Sequence, residues 1–109
     1  MPLQYKILGQ AAPNADTDTD VYTVPANTQA VISTIVIANR DTTDATYRIA
    51  ARPAGATLAN EHYVAYDITV GASDSTGLTL GVTLNETDVL TVRSSTANVT
   101  FSIFGSEAT

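Results

Sequence analysis

Leu78-Thr79-Leu80-Gly81-Val82-Thr83-Leu84 alternates large apolar with polar or small residues. Successive side chains of a β-strand point to opposite faces, so this run reads as a half-buried strand with Leu78, Leu80, Val82 and Leu84 inward. Gly77 and Gly81 fall on its outer side, where a missing side chain admits a bulge or a close backbone.

The same period recurs on either side. Residues 29–38 carry Val31, Ile35 and Ile37 on one face and Ile32, Val36 and Ala38 on the other, which predicts a central strand covered on both sides. Residues 45–51 place Tyr47 and Ile49 inward and Thr46, Arg48 and Ala50 outward, and the run stops before Pro53. In residues 62–70, Val64, Tyr66, Ile68 and Val70 share a face opposite Tyr63, Ala65, Asp67 and Thr69, and Tyr47 and Tyr66 both read as core. Residues 89–93 form a further strand. In the last one Val99, Phe101 and Ile103 face in, while Phe104 interrupts an outer row of Asn98, Thr100 and Ser102.

Turn chemistry separates these runs. Asn39-Arg40-Asp41-Thr42-Thr43-Asp44 reverses the chain because Asn and Asp side chains bond the local backbone and tolerate left-handed conformations. Residues 53–60 hold Pro and Gly without alternation and read as a surface loop with one helical turn around Leu58. A short strand at 20–24 ends at Pro25, which lacks the N–H a central ladder needs. Ahead of it, the apolar segment 3–8 is followed by Gly9 and a linker-like stretch to Ala15. The expected organisation is an N-terminal strand and extended arm over 1–20, then a β-sandwich domain over 21–109. The fold class is all-β, a single antiparallel sandwich of about eight strands, jelly-roll-like or immunoglobulin-like.

At 109 residues the chain fits one core, and folded domains near this size bury roughly 65% of the surface of the unfolded chain. Only 15% of residues are charged, against about 25% in soluble domains generally. Charged side chains are depleted from the centres of subunit contacts, so the deficit points to a homo-oligomer, with a trimer as a plausible form. A net charge of −6 argues against a nucleic-acid partner, whose phosphates call for a Lys/Arg patch. Arg48 and Arg52 are better explained by a solvated or ion-paired strand face.

The absence of cysteine removes disulfide and thiol chemistry. No run approaches the roughly 18 apolar residues of a membrane span, and the first residues lack a signal-peptide pattern. A protein made in the cytoplasm with no membrane partner is expected. The sequons at Asn85 and Asn98 then read as a turn and a strand.

Catalytic constellations are missing. His62 is the sole histidine, no Gly-x-Ser-x-Gly elbow occurs, and Asp67 five residues on would point to the opposite face of a strand. Glu61, Glu86 and Glu107 fall at expected turns or the tail, with no spacing that pairs two carboxylates. Asp16, Asp18 and Asp20 resemble the start of a calcium loop, but the required Gly and Glu are replaced by Val21 and Asn27. They are weak metal candidates beside the alternative of an acidic strand flank that discourages aggregation. No cofactor and no enzymatic activity are expected. The interface candidates are Leu3, Tyr5, Ile7, Tyr22, Tyr63 and Phe104.

Several motifs add a resemblance. Tyr22-Thr23-Val24-Pro25-Ala26, residues 30–40, Tyr47-Arg48-Ile49-Ala50, Arg52-Pro53-Ala54-Gly55, Leu58-Ala59-Asn60 with His62-Tyr63, and Ser102-Ile103-Phe104-Gly105-Ser106-Glu107 cover most of the chain. Together they resemble small virion structural proteins of tailed bacteriophages, especially phages of cyanobacteria and marine bacteria. The resemblance implies a virion protein assembled in the bacterial host cytoplasm, with itself and other virion proteins as partners. A tail- or fibre-associated role in host attachment leads. A capsid decoration protein clamping neighbouring shell subunits is the alternative, and a carbohydrate-binding module meeting a host surface glycan is a third. The resemblance carries over no functional residues.

Overall fold

The computed structural model describes residues 3–109. Nine strands run in chain order: β1 (Leu3–Ala11), β2 (Thr19–Thr23), β3 (Gln29–Asn39), β4 (Ala45–Arg52), β5 (Tyr63–Val70), β6 (Ser75–Leu78), β7 (Val82–Leu84), β8 (Val89–Ser94) and β9 (Val99–Ala108). Two 3₁₀ turns, Pro53–Gly55 and Asn60–His62, flank Leu58, where a single helical turn was expected. Every strand pair is antiparallel. Sheet I has the order β1-β9-β3, with β6 and β7 both on the far edge of β3; sheet II has the order β2-β8-β4-β5.

β6 and β7 pair with successive parts of β3, Ile35–Ala38 and Ala30–Ile32 respectively, so they are two halves of one interrupted strand. Counted that way, the sandwich has eight strands, ordered first-eighth-third-sixth over second-seventh-fourth-fifth. That is the order of a jelly roll, and it selects between the two sandwich types the sequence left open.

The core lies between the sheets. Ile32, Ile35 and Ile37 of β3 and Val99, Phe101 and Ile103 of β9 meet Tyr47 and Ile49 of β4 and Leu90 and Val92 of β8. Phe101 and Tyr47 pack edge to face across the layers, ring centroids 6.2 Å apart at 77°. The turn after β3 is held as its residues predict. Asn39 is buried and its Nδ2 donates to the carbonyls of Thr43, Val70 and Gly71, while its Oδ1 accepts from the Asp41 N–H at 3.0 Å.

Three irregularities break strict alternation. In β3 the register against β9 shifts between Ile32 and Thr34. Ala30, Ile32, Ile35 and Ile37 therefore point inward, and Val31 leaves the core face to stand 41% exposed. In β5, Asp67 has φ +51° and the pairing with β4 shifts around it. A bulge on an edge strand breaks the two-residue period and turns Val64 and Tyr66 outward; Ile68, in register with buried Tyr47, is exposed at the sheet edge, and of the face expected to be buried only Val70 is. Gly81, at φ +62°, interrupts the run from Leu78 to Leu84: Leu84 is buried, Leu78 and Val82 half-buried, and Leu80 exposed. A left-handed residue costs glycine little, and it lets the chain leave β3 and rejoin it one step further along.

Candidate functional site

The two outer faces of the sandwich have opposite chemistry. Residues paired in an antiparallel ladder share a face, so registers identify the outer side of sheet I. Leu3 lies beside Ala108 and Gln29; Tyr5 beside Ser106, Val31 and Thr83; Ile7 beside Phe104 and Thr34; Val36 beside Ser102 and Gly77. None of the chain's five basic and eleven acidic residues stands in these rows. The two charged residues of β1 and β9, Lys6 and Glu107, pair in register with Gly105 and Ala30, on the rows that point inward.

The outer face of sheet II carries the charge. Arg48 and Arg93 are direct cross-strand partners on β4 and β8, an arrangement that repels unless each cation is neutralised. Asp67 does this for Arg48, accepting from Nε at 2.7 Å and from Nη2 at 3.3 Å. The ion pair lifts the Arg48 pKa and holds the Asp67 carboxyl below the usual carboxylate range. Asp18 lies 3.6 Å from Arg93. Arg52 gathers four acceptors from three segments: Asp20 Oδ1 at 2.8 Å, Thr91 Oγ1 at 3.0 Å, and the carbonyls of Ala56 at 2.8 Å and Gly55 at 3.2 Å. The guanidinium of Arg48 also sits 4.1 Å over the ring of Tyr66, which meets Tyr63 edge to face at 4.9 Å.

Against this layout the sequence candidates separate into three places. Leu3, Tyr5 and Ile7 line one side of β1 and are exposed, with Phe104 half-buried next to Ile7. Tyr22 is elsewhere: its ring is buried in the core of its own subunit, so it is no docking residue. Tyr63 lies on sheet II with Tyr66 and Arg48, apart from the β1 group. Tyr66, read as core, is on the surface. Among Asp16, Asp18 and Asp20, the last two are drawn to different arginines, and the described residues contain no group of three acidic, His or Cys side chains able to hold a metal. His62 is buried, and its Nδ1 accepts from the Ala59 N–H at 3.0 Å, closing the turn before β5.

One polar cluster escaped the sequence reading because its members come from three distant strands. Glu107, expected at a turn or in the tail, is buried in β9. Its Oε2 accepts from the Tyr22 hydroxyl at 2.5 Å and its Oε1 lies 2.6 Å from Lys6 Nζ. Lys6 above all, then Tyr22, hold the Glu107 carboxyl below the usual range, while burial and the carboxylate push the Tyr22 phenol well up. This carboxylate joins β1 and β9 of one sheet to β2 of the other, and it occupies Lys6 as a charge.

No protein-family model matches the sequence, and a comparison with curated proteins finds no match. Among the described residues no helix is long and apolar enough to cross a membrane. What the geometry offers is two surfaces: an ion-paired face whose charges are largely spent on one another, and a neutral face ending in an exposed apolar strand.

Proposed function

We propose that this chain is a non-catalytic structural subunit of a tailed-phage particle, built into the tail or its fibres as a homo-oligomer and contributing to host attachment. The observation that carries the reading is the uncharged outer side of sheet I, with Leu3, Tyr5, Ile7 and Val31 exposed on it, in a chain of net charge −6. A free monomer keeps such a face charged for solubility; a subunit of an assembly covers it. The arginines and carboxylates of sheet II support a scaffold rather than a reaction centre, because each arginine is neutralised by an aspartate of its own face. The motifs resembling virion structural proteins supply the setting.

A second reading, a capsid decoration protein, draws on the jelly-roll strand order, an architecture viral shell domains use widely. Fold alone does not fix function, so the order ranks second to the surface. The test is composition of the particle. Phage particles purified on a density gradient and washed at high salt are digested, and peptides of this chain are counted by mass spectrometry. A fixed copy number per particle is expected; loss of the chain in the wash overturns the structural assignment.

A further inference from the structure

β1 is an edge strand, and its first five residues, Leu3 to Ile7, are exposed on both sides. Among the described residues it pairs only with β9, so its other backbone edge is open. Proteins blunt such edges with charge, proline, a bulge or a short strand. Here the strand runs nine residues, and its register shift comes only between Ile7 and Gly9, past the exposed part. The single charge there, Lys6, is engaged by Glu107. Tyr5 is 81% exposed, the largest fraction among the exposed large apolar residues.

We infer that β1 pairs antiparallel with β1 of a second copy about a two-fold axis at Tyr5, joining the two first sheets into one continuous sheet. The sequence is self-complementary in that register. Tyr5 faces Tyr5, Leu3 faces Ile7 and Ile7 faces Leu3 on the neutral side; Gln4 faces Lys6 on the other side, so no like charges oppose one another. A second copy also fits the charge. Each chain carries −6, so two copies repel over most of their surfaces, and the neutral side of sheet I is where they approach without opposing carboxylates. A charged partner would find no group there to recognise. The inference rests on the homo-oligomer proposed above and names the contact.

Five residues per copy at about 3.4 Å each give a seam of about 17 Å. That is the small end of specific interfaces, so the pairing is weak in dilute solution and is best read by trapping. The chain has no cysteine, which makes single substitutions clean probes. Directly opposed residues of an antiparallel pair have Cα atoms about 4.5–5.5 Å apart, inside disulfide range.

The full chain carrying Tyr5→Cys, at about 100 μM under a mild oxidant, is expected to form a disulfide dimer at least ten-fold faster than Val64→Cys, an exposed control on sheet II. A mixture of Leu3→Cys and Ile7→Cys should cross-link to each other faster than either does to itself. Equal rates for Tyr5→Cys and Val64→Cys overturn the proposed seam. If sedimentation of the unmodified chain still shows an oligomer, the homo-oligomer stands and only its contact is wrong; a monomer at every concentration removes both. Efficient cross-linking of a Tyr5→Cys and Ser106→Cys mixture, residues paired within one chain, would instead reveal exchange of β1 between copies and also overturn the edge-to-edge seam.

Discussion

Replacing Phe101 by Ala tests the packing between the sheets. Its ring is fully buried, lies edge to face with Tyr47 at 6.2 Å, and pairs in register with Ile37. Removing a buried phenyl ring costs the lost transfer energy plus the cavity left behind, about 3–5 kcal/mol. The whole stability of a domain this size is about 5–15 kcal/mol. At about 4–8 °C per kcal/mol, the melting temperature should fall by roughly 12–40 °C. Circular dichroism during heating, with urea unfolding as a cross-check, reads this directly. Phe104, three positions along the same strand and half-buried on the opposite face, is the internal control: Phe104→Ala should cost less than half as much. A fall of less than about 5 °C for Phe101→Ala, or equal losses for both variants, would mean that the assigned inner face of β9 is wrong.

Other substitutions probe single features. Because the Glu107 pKa lies below its unfolded value of about 4.3, its contribution to stability is present above that pH and is lost as pH falls through the folded pKa. Glu107→Gln should therefore be less stable than the parent near pH 7, with the gap shrinking below about pH 4; a gap unchanged down to pH 2 would contradict the Lys6 pairing. A Cβ on Gly105 would run into the Val31 carbonyl oxygen and lie 3.0 Å from Ile32 Cα, so Gly105→Ala should cost about 1–3 kcal/mol in urea unfolding. No loss would show that β3 and β9 are further apart at this bulge. Arg52→Lys keeps the charge but loses the planar fork that reaches Asp20, Thr91 and the Pro53–Gly55 turn, an expected cost of about 1–3 kcal/mol. An unchanged urea midpoint would place Arg52 outside the stabilising network.

Local chemistry made much of the fold legible. The Asn39 to Asp44 cluster forms the expected turn, and Val99, Phe101 and Ile103 line the core as their alternation predicts. The failures share one cause. A period of two predicts faces only while the ladder is regular: the shifts after Ile32 and at Asp67 reset it, and the break at Gly81 takes Leu80 out of the strand while Leu78, Val82 and Leu84 keep their face. Gly81 was readable as a possible bulge, whereas Asp67 gave no signal beyond Asp's tolerance of left-handed backbone. Glu107 was beyond reach for a different reason: it lies 85 positions from Tyr22, and only the strand order brings the two together. The exposed row Leu3, Tyr5 and Ile7 was visible as an apolar segment, but that it forms an open sheet edge follows from its pairing with β9 alone.

The proposed place of this sandwich in a phage particle is tested most simply by locating the chain there. Gold-labelled antibody to the chain, applied to intact particles and imaged by electron microscopy, should mark the tail or its fibres at regular positions. Label spread evenly over the head would contradict the tail assignment in favour of decoration, and particles that stay unlabelled both intact and after gentle disassembly would contradict the structural role itself.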